Sequence, residues 1–487
     1  MPTLRHAVRS HLAPVIGLTL IGFAASSAHA ITLIASGTLN ATTDLSGLNY
    51  NLESGIAANT LGGIGSALAY AGGNTFLALP DRGPNATAYT NGSVVDNTTS
   101  YIARFQTVSM NLTASVSGSL PYTLAPTLSA TTLLYSTTAL NYGTGNFAGG
   151  VSIGSGAPAL NTAEKFYFTG RSDGFSGSAS MASSNARLDP EGIRVSSDGL
   201  SVFVSDEYGP YVYQFNRATG ERIHTYDLPA NFGITNLSSV GATEISGNTT
   251  GRVSNKGMEG MAISPDGQTL IGFMQSPLAQ DGGDGGRYNR LVTINVATGA
   301  TQQFIYDNYL TATSKTYNSS EIIAINDHEF LILERDGKGL GDGSNAVVKK
   351  VFKIDIAGAQ DASNVSGAAN LAAYAVTKTE FLDLRTALNA LGLTDAQIPA
   401  KLEGMAFGQD VVVGGVTKHT LYIANDNDFV PGVAGPSNFY VFAFDATDLP
   451  TYQAQSIAPV PLPAAGWLLV SGMGALGAAV RRRRRTA

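Results

Sequence analysis

The sequence predicts an all-β fold, a β-propeller of six blades, on three observations. A unit of short paired apolar strands led by an acidic residue recurs along the chain. Its leading glutamates, Glu191, Glu259, Glu321 and Glu403, are spaced by 68, 62 and 82 residues, more than a minimal four-stranded blade of about 45 needs. The composition, with 56 glycines, abundant Ser, Thr and Asn, and only 13% charged residues, is that of a loop-rich β protein.

In chain order, Arg5 and Arg9 precede an apolar run through Val15, Ile16, Leu18, Leu20, Ile21 and Phe23, which ends at Ala28-His29-Ala30. This order of basic, apolar and small residues is that of a secretory signal peptide over residues 1–30, with the mature chain starting near Ile31. The first unit begins at Ser66-Ala67-Leu68-Ala69-Tyr70 and runs through Asp81-Arg82 to Tyr101-Ile102-Ala103-Arg104-Phe105, with Ser66 in the place of the leading acid. The second is Asp189-Pro190-Glu191-Gly192-Ile193, followed by Asp206-Glu207 and Tyr211-Val212-Tyr213-Gln214-Phe215. The third starts at Glu259-Gly260-Met261-Ala262-Ile263, the fourth at Glu321-Ile322-Ile323 with Glu334-Arg335-Asp336, and the fifth at Glu403-Gly404-Met405 with Asp426-Asn427-Asp428.

Each unit alternates apolar and other residues over four to six positions, breaks at Asp-Gly or Gly-Asn and resumes, the pattern of consecutive antiparallel strands. The gap from Ser66 to Glu191 is about twice the others, so a degenerate sixth unit is expected there, with Phe166-Tyr167-Phe168 as one strand. An array of β-sandwiches is the structural rival. Residues 379–391 read as a helical insertion, and the propeller is expected to occupy residues 31–455.

The remaining residues, 456–487, contain an uncharged apolar run over 464–480 and then five arginines, Arg481 to Arg485. As a helix this run reaches roughly 25 Å against a hydrocarbon core of about 30 Å, a transmembrane segment that barely spans. The arginines place its end on the cytoplasmic side and the middle of the chain outside. The entry to this segment, Val460-Pro461-Leu462-Pro463-Ala464-Ala465, resembles the PEP-CTERM sorting signal, with Leu462 where the commonest form has Glu. That resemblance implies a Gram-negative source, an exosortase as processing partner, transient membrane retention, and delivery to the cell surface or extracellular exopolysaccharide matrix.

Neither end contains Asp or Glu, and they hold seven of the 29 basic residues. The middle therefore carries 22 basic against 36 acidic side chains, a net charge of about −14. This disfavours nucleic acid as a partner and suits cations. With no cysteine, an exported chain of this size relies on a large packed core in place of disulfides.

Equivalent positions on different blades converge on the central channel of a propeller. The leading Glu191, Glu259, Glu321 and Glu403 share one such position, and acids recur after the second strand: Asp81, Asp206, Glu207, Glu334, Asp336, Asp426 and Asp428. Two rings of carboxylates repel one another unless cations neutralise them, which makes Asp81, Asp189, Glu191, Asp206, Glu207, Glu259, Glu334, Asp336, Glu403 and Asp426 candidate metal ligands. Calcium suits such an oxygen-rich set, with magnesium as the alternative. The structural reading of each Glu is an acceptor for backbone N–H groups that closes its blade.

Arg82, Arg171 and Arg335 adjoin these acids and are the candidates to clamp phosphate oxygens, unless each only neutralises its acidic neighbour. The three histidines of the mature region, His224, His328 and His419, are widely separated, which disfavours a zinc hydrolase. Cysteine catalysis is excluded, because the chain has no cysteine.

The elements Leu79-Pro80-Asp81-Arg82-Gly83, Asp189-Pro190-Glu191-Gly192, Ser205-Asp206-Glu207-Tyr208-Gly209, Met258-Glu259-Gly260-Met261, Leu333-Glu334-Arg335-Asp336 and Lys401-Leu402-Glu403-Gly404 together resemble the phytase-like family, often labelled "esterase-like activity of phytase". The resemblance implies a propeller related to calcium-dependent phytases and a phosphoesterase activity. Ser66 and Asn427 depart from an acidic pattern. Three functions stay open at this point. One is a divalent-cation-dependent hydrolase of phosphorylated small molecules. Another is a non-enzymatic, calcium-stabilised propeller that binds exopolysaccharide or a protein partner, and the third is a lactonase on the same scaffold.

Overall fold

The computed structural model describes residues 31–85, 98–143 and 156–458. The expected signal peptide, the sorting motif and the apolar segment at 464–480 lie outside them. Among the described residues no helix is long and apolar enough to cross a membrane.

Five antiparallel sheets are built from the repeated units. Blade one comprises Ala67–Tyr70, Thr75–Leu79, Arg104–Ala114 and Tyr122–Leu133. Blade two comprises Pro190–Val195, Ser201–Asp206, Tyr211–Asn216 and Arg222–Asp227. Blade three comprises Met258–Ile263, Thr269–Met274, Tyr288–Asn295 and Thr301–Asp307, with the short Ala375–Val376 added in parallel. Blade four comprises Asn318–Ala324, Glu329–Arg335, Lys349–Asp355 and Lys378–Asp383. Blade five comprises Leu402–Phe407, Val416–Asn425 and Ser437–Phe444, and the N-terminal Thr32–Leu39 completes it by pairing with Ser437–Phe444. The first and last strands among the described residues thus share one sheet and close the ring.

The hairpin turns repeat their chemistry from blade to blade. Asp198 and Asp266 each accept the N–H two residues on, from Leu200 and Gln268, both at 2.9 Å, and Gly199 and Gly267 supply the positive φ of the turn (72° and 75°).

Alternation along each strand sends successive side chains to opposite faces, so every sheet packs on two neighbours. In Thr269–Met274, Leu270 and Met274 face blade two, whereas Ile271 and Phe273 face blade four. One apolar cluster fills each gap between neighbouring blades: Phe76 with Tyr422, Leu77 with Val202, Phe203 with Leu270, Phe273 with Ile332, and Leu331 with Leu421. Each fully buried large side chain contributes about 1.5–3 kcal/mol of burial free energy.

The number of blades is therefore five, and the expectation of six is corrected. Blades one and two pack directly on each other through Leu77, Phe105, Ile193 and Phe215, and the supposed strand residue Phe168 is buried in that same cluster. Among the described residues the strand Phe166–Tyr167 pairs only with Tyr135–Ser136. The extra length between Ser66 and Glu191 goes instead into the long hairpin of Arg104–Ala114 and Tyr122–Leu133, and into the loops around it. The helical reading of 379–391 is corrected in part, because Lys378–Asp383 is the outer strand of blade four and only Leu384–Ala390 is helical.

The glycine that follows Glu191, Glu259 and Glu403 is required by the ring. A Cβ on Gly192 would lie 2.8 Å from the Cβ of Met261, and one on Gly260 would lie 3.0 Å from the Cα of Glu321. The inner strands converge this closely only where the side chain is missing.

Candidate functional site

The leading ends of the inner strands and the residues after the second strands meet at one end of the channel, around a cavity of about 500 Å³. Of the residues singled out in the sequence, Asp81, Glu191, Glu207, Glu259, Arg335, Asp336, Glu403 and Arg82 line it. Oxygens of Asp81, Asp189 and Glu191 lie within 4.8 Å of one another, as do those of Asp81, Asp426 and Asp428, so Asp81 joins two acidic triads.

The cations at this end are each committed to particular acids. Asp189 accepts both the backbone N–H and the Nη1 of Arg82, each at 2.9 Å. Arg335 pairs with Glu403. Lys401 bridges Asp426 at 2.9 Å and Asp428 at 2.7 Å. Glu259 accepts a hydrogen bond of 2.6 Å from Gln275 Nε2, and Glu207 accepts one of 3.0 Å from the Gly257 N–H. Glu191, 7% exposed, has no hydrogen-bond or ion-pair partner among the described residues.

The electrostatics follow from this crowding. Burial, then the carboxylates of Glu259, Asp189 and Glu207, push Glu191 well above the ordinary carboxylate range. Burial and Asp426 do the same to Asp81. Burial and Glu403 raise Glu259 to about 8. Asp426, although buried, is held below its ordinary value by Lys401. Asp81, Asp189, Glu191, Asp426 and Asp428 could hold a metal ion, and they offer it only oxygen donors, the kind a hard cation accepts.

Three candidates fall elsewhere. Asp206 accepts the backbone N–H groups of Asp189 (3.1 Å) and Tyr208 (2.9 Å), a structural role. Glu334 is bound to Lys378 and Tyr306 on the other face of its strand, because neighbours in a strand point to opposite sides and Arg335 takes the cavity side. Arg171 pairs with Asp173, is 3% exposed, and does not line the cavity.

Glu321 also leaves the ring. The register shift of its inner strand falls between Ser319 and Glu321, whereas in blade three it falls between Met258 and Gly260, so Ser320 occupies the place of Glu259. Glu321 sits at the glycine position and pairs with Arg194 at 2.9 Å. In the run Asp281-Gly282-Gly283-Asp284, Asp281 is fully buried against Arg290 at 2.6 Å, whereas Asp284 lines the cavity.

Sequence reasoning passed over Lys401, Gln275, Asn255, Arg187 and Arg252. A usable signal existed for two of them. Lys401 and Arg187 stand two residues before Glu403 and Asp189, and in extended chain such pairs share a face.

The fold and the site define a class: a five-bladed propeller with an acidic axial cavity studded with paired arginines and a lysine. The chain belongs to the phytase-like family described as "Esterase-like activity of phytase", whose profile matches residues 59–429. An uncharacterized secreted protein of Arthroderma benhamiae is 31% identical over 326 residues, covering 57% of this chain and 60% of that protein. The match thus spans less than two thirds of that relative. Among solved structures, the periplasmic gluconolactonase PpgL of Pseudomonas aeruginosa aligns at 10% identity over 89% of this chain and 98% of its own, with a TM-score of 0.28. The gluconolactonase XC5397 of Xanthomonas campestris aligns at 11% identity over 85% and 97%, also at 0.28. At that TM-score these two likenesses carry no argument about the site.

Proposed function

We propose that this chain is an exported hydrolase of phosphate esters that depends on a divalent cation, calcium foremost and magnesium as the alternative, held in the acidic axial cavity. The observation that carries this reading is Glu191: a buried carboxylate without a partner, next to Asp81 and Asp189, in a cavity that Arg82 also lines. A cation bound by these acids would supply Lewis-acid polarisation of a phosphoryl oxygen and a more acidic bound water.

The chain's own residues have distinct roles in this reading. Arg82, fixed through two bonds to Asp189, binds a non-bridging phosphate oxygen with the face of its guanidinium that Asp189 leaves free. Arg335, anchored on Glu403, offers a second positive charge from the opposite wall. Lys401 neutralises Asp426 and Asp428, which keeps part of the acidic ring tolerable before any ligand arrives.

Export rests on the signal-like N-terminus and on the secreted relative. Delivery by an exosortase to the surface or matrix rests on the PEP-CTERM resemblance alone. The test is phosphate release from phosphorylated small molecules. Calcium should support it, a chelator should abolish it, and Glu259→Gln or Arg82→Ala should lose it; release indifferent to all three would overturn the reading.

A second reading has its own support. Asp189, Glu403, Asp426 and Asp428 already have cationic partners, as expected of a cavity whose cation staples the blades together. In that case the protein binds exopolysaccharide or a protein partner without turnover, and calcium raises the melting temperature with no phosphate released.

A further inference from the structure

Next to the acidic cavity, and sharing Arg82 and Asn255 with it, lies a smaller cavity of about 240 Å³ with the opposite chemistry. Arg187 and Arg252 form part of its wall, and they are 4% and 5% exposed. Both donate to a single acceptor, the carbonyl oxygen of Tyr208, from Arg187 Nη2 at 3.2 Å and Arg252 Nε at 2.9 Å. Their shared acceptor draws two like charges together in a buried place. The guanidinium of Arg187 also lies over the Tyr208 ring, 4.5 Å from its centroid.

Among the described residues Glu244 is the one carboxylate of this wall. It takes Arg252 Nη1 at 2.6 Å and the Ser238 N–H at 3.0 Å, so it anchors the wall, while Arg187 has no salt-bridge partner among the described residues. Arg187 Nη1 and Arg252 Nη2 are buried without a hydrogen-bond partner among the described residues, and so is Arg82 Nε. Burial and the Arg252 charge hold Arg187 below the ordinary arginine value. A buried charge with an unused donor is costly unless an opposite charge meets it. Ser238, Ser239 and Ser254 add hydroxyl groups to the same wall. The chain as a whole is acidic, with a formal net charge of −7, so this pocket runs against the overall field.

We infer that the pocket walled by Arg187, Arg252 and Arg82 is an oxyanion-binding site, which takes a phosphate or carboxylate group of a ligand lying across Arg82 from the acidic cavity. The substrate class narrows accordingly, to small molecules that present a second anionic group beside the scissile ester. That extension to the substrate rests on the hydrolase reading; binding of the oxyanion itself does not.

The test is calorimetric titration of the metal-free full chain with inorganic phosphate and, separately, with acetate. Saturable binding of either is expected, and the stronger of the two identifies the group. Affinity should fall at least tenfold in Arg187→Gln and in Arg252→Gln and stay within twofold in Glu164→Gln, an exposed position away from both cavities. Because loss of Arg252 strands Glu244 and can unfold the wall, Ser254→Asp serves as a second variant, placing a negative charge on the partly exposed rim without touching the guanidiniums; it too should abolish binding. Folding of each variant is checked by its melting curve. Absence of saturation by both anions in the folded protein, or saturation unchanged in Arg187→Gln and Ser254→Asp, overturns the inference. Anion binding that persists in a protein without phosphatase activity would instead reject the hydrolase reading and leave this site standing.

Discussion

Arg194 and Glu321 pair at 2.9 Å from inner strands that are not neighbours in the ring, blade two reaching blade four. The same guanidinium donates to the carbonyl oxygens of Leu68 in blade one (2.9 Å) and Ile322 in blade four (2.8 Å), so one side chain ties three blades across the channel. Beyond it the other end of the channel holds a cavity of only about 80 Å³, walled largely by apolar residues such as Leu68, Ile263 and Ile323. Removing one partner of such a pair strands a buried charge, so Glu321→Leu should cost about 3–5 kcal/mol in urea unfolding. The double variant Arg194→Met with Glu321→Leu should recover at least half of that. Additive losses in the two single variants would show that the pair is not coupled.

The pH dependence of stability follows from the same residue. Burial outweighs the pull of Arg194 and raises the Glu321 carboxyl from 4.5 to about 7 in the folded chain. Between those values the folded state keeps a proton that the unfolded state has released. The contribution of Glu321 is therefore full below pH 4.5 and is lost as pH rises through 7, about 3 kcal/mol in all. Urea midpoints at pH 5 and pH 8 should differ less in Glu321→Gln than in the parent chain. Equal differences would mean that Glu321 titrates as an ordinary carboxyl.

Much of this organisation was legible beforehand, for a physical reason. Strand alternation, Asp-Gly turns and the Glu-Gly lead are local signals, and they located every inner strand of the five blades. Blade number is not local. Nothing in Phe166-Tyr167-Phe168 distinguishes a blade strand from an apolar segment buried between two blades, and only the direct packing of Leu77 on the second blade decides it. The site shows the same division. Glu191, Glu259 and Glu403 were recognisable by repetition, whereas Glu321 looked like a fourth member until a one-residue register shift removed it. Arg187 and Arg252 belong to no repeat, and their convergence on the Tyr208 carbonyl depends on the folded chain.

The glycine of the Glu-Gly lead should be sensitive to the smallest substitution. In Gly260→Ala the new methyl would lie 3.0 Å from the Glu321 Cα and 3.0 Å from the Ile322 N, backbone atoms that cannot rotate away. We expect a loss of about 1–3 kcal/mol. Gly337→Ala, with nothing within 4 Å of the added carbon, should stay within about 0.5 kcal/mol. Comparable denaturation midpoints for the two variants would mean that the inner strands can spread apart freely.

Ring closure through Thr32–Leu39 predicts that the first strand is indispensable. It buries Ile34, Ala35 and Leu39 and covers the edge of Ser437–Phe444. A chain beginning at Asn40 forfeits about 3–6 kcal/mol from the two larger side chains alone and exposes an unpaired edge. Its melting temperature should drop and light scattering should report association. A truncated chain that stays monomeric with an unchanged melting curve would show that the strand is a dispensable addition to the blade.

Glu191 links stability to ligand binding with an unusual sign. In the metal-free protein it is a buried carboxylate among other carboxylates, with no donor to meet it. Glu191→Gln keeps the shape and removes the repulsion, so the variant should be the more stable of the two without metal, by about 1–3 kcal/mol. Calcium should reverse the order. A ligand at a hundred times its dissociation constant stabilises the folded state by about 2.7 kcal/mol, and the parent chain should gain that, while the variant, short of one charged ligand, gains less. The two melting temperatures should therefore change places as calcium is added and return when a chelator is supplied. A variant that is already less stable without metal would mean that Glu191 has a stabilising partner in solution. Melting curves that calcium leaves unmoved in both chains would remove the cation from the cavity and, with it, the basis of cation-dependent hydrolysis there.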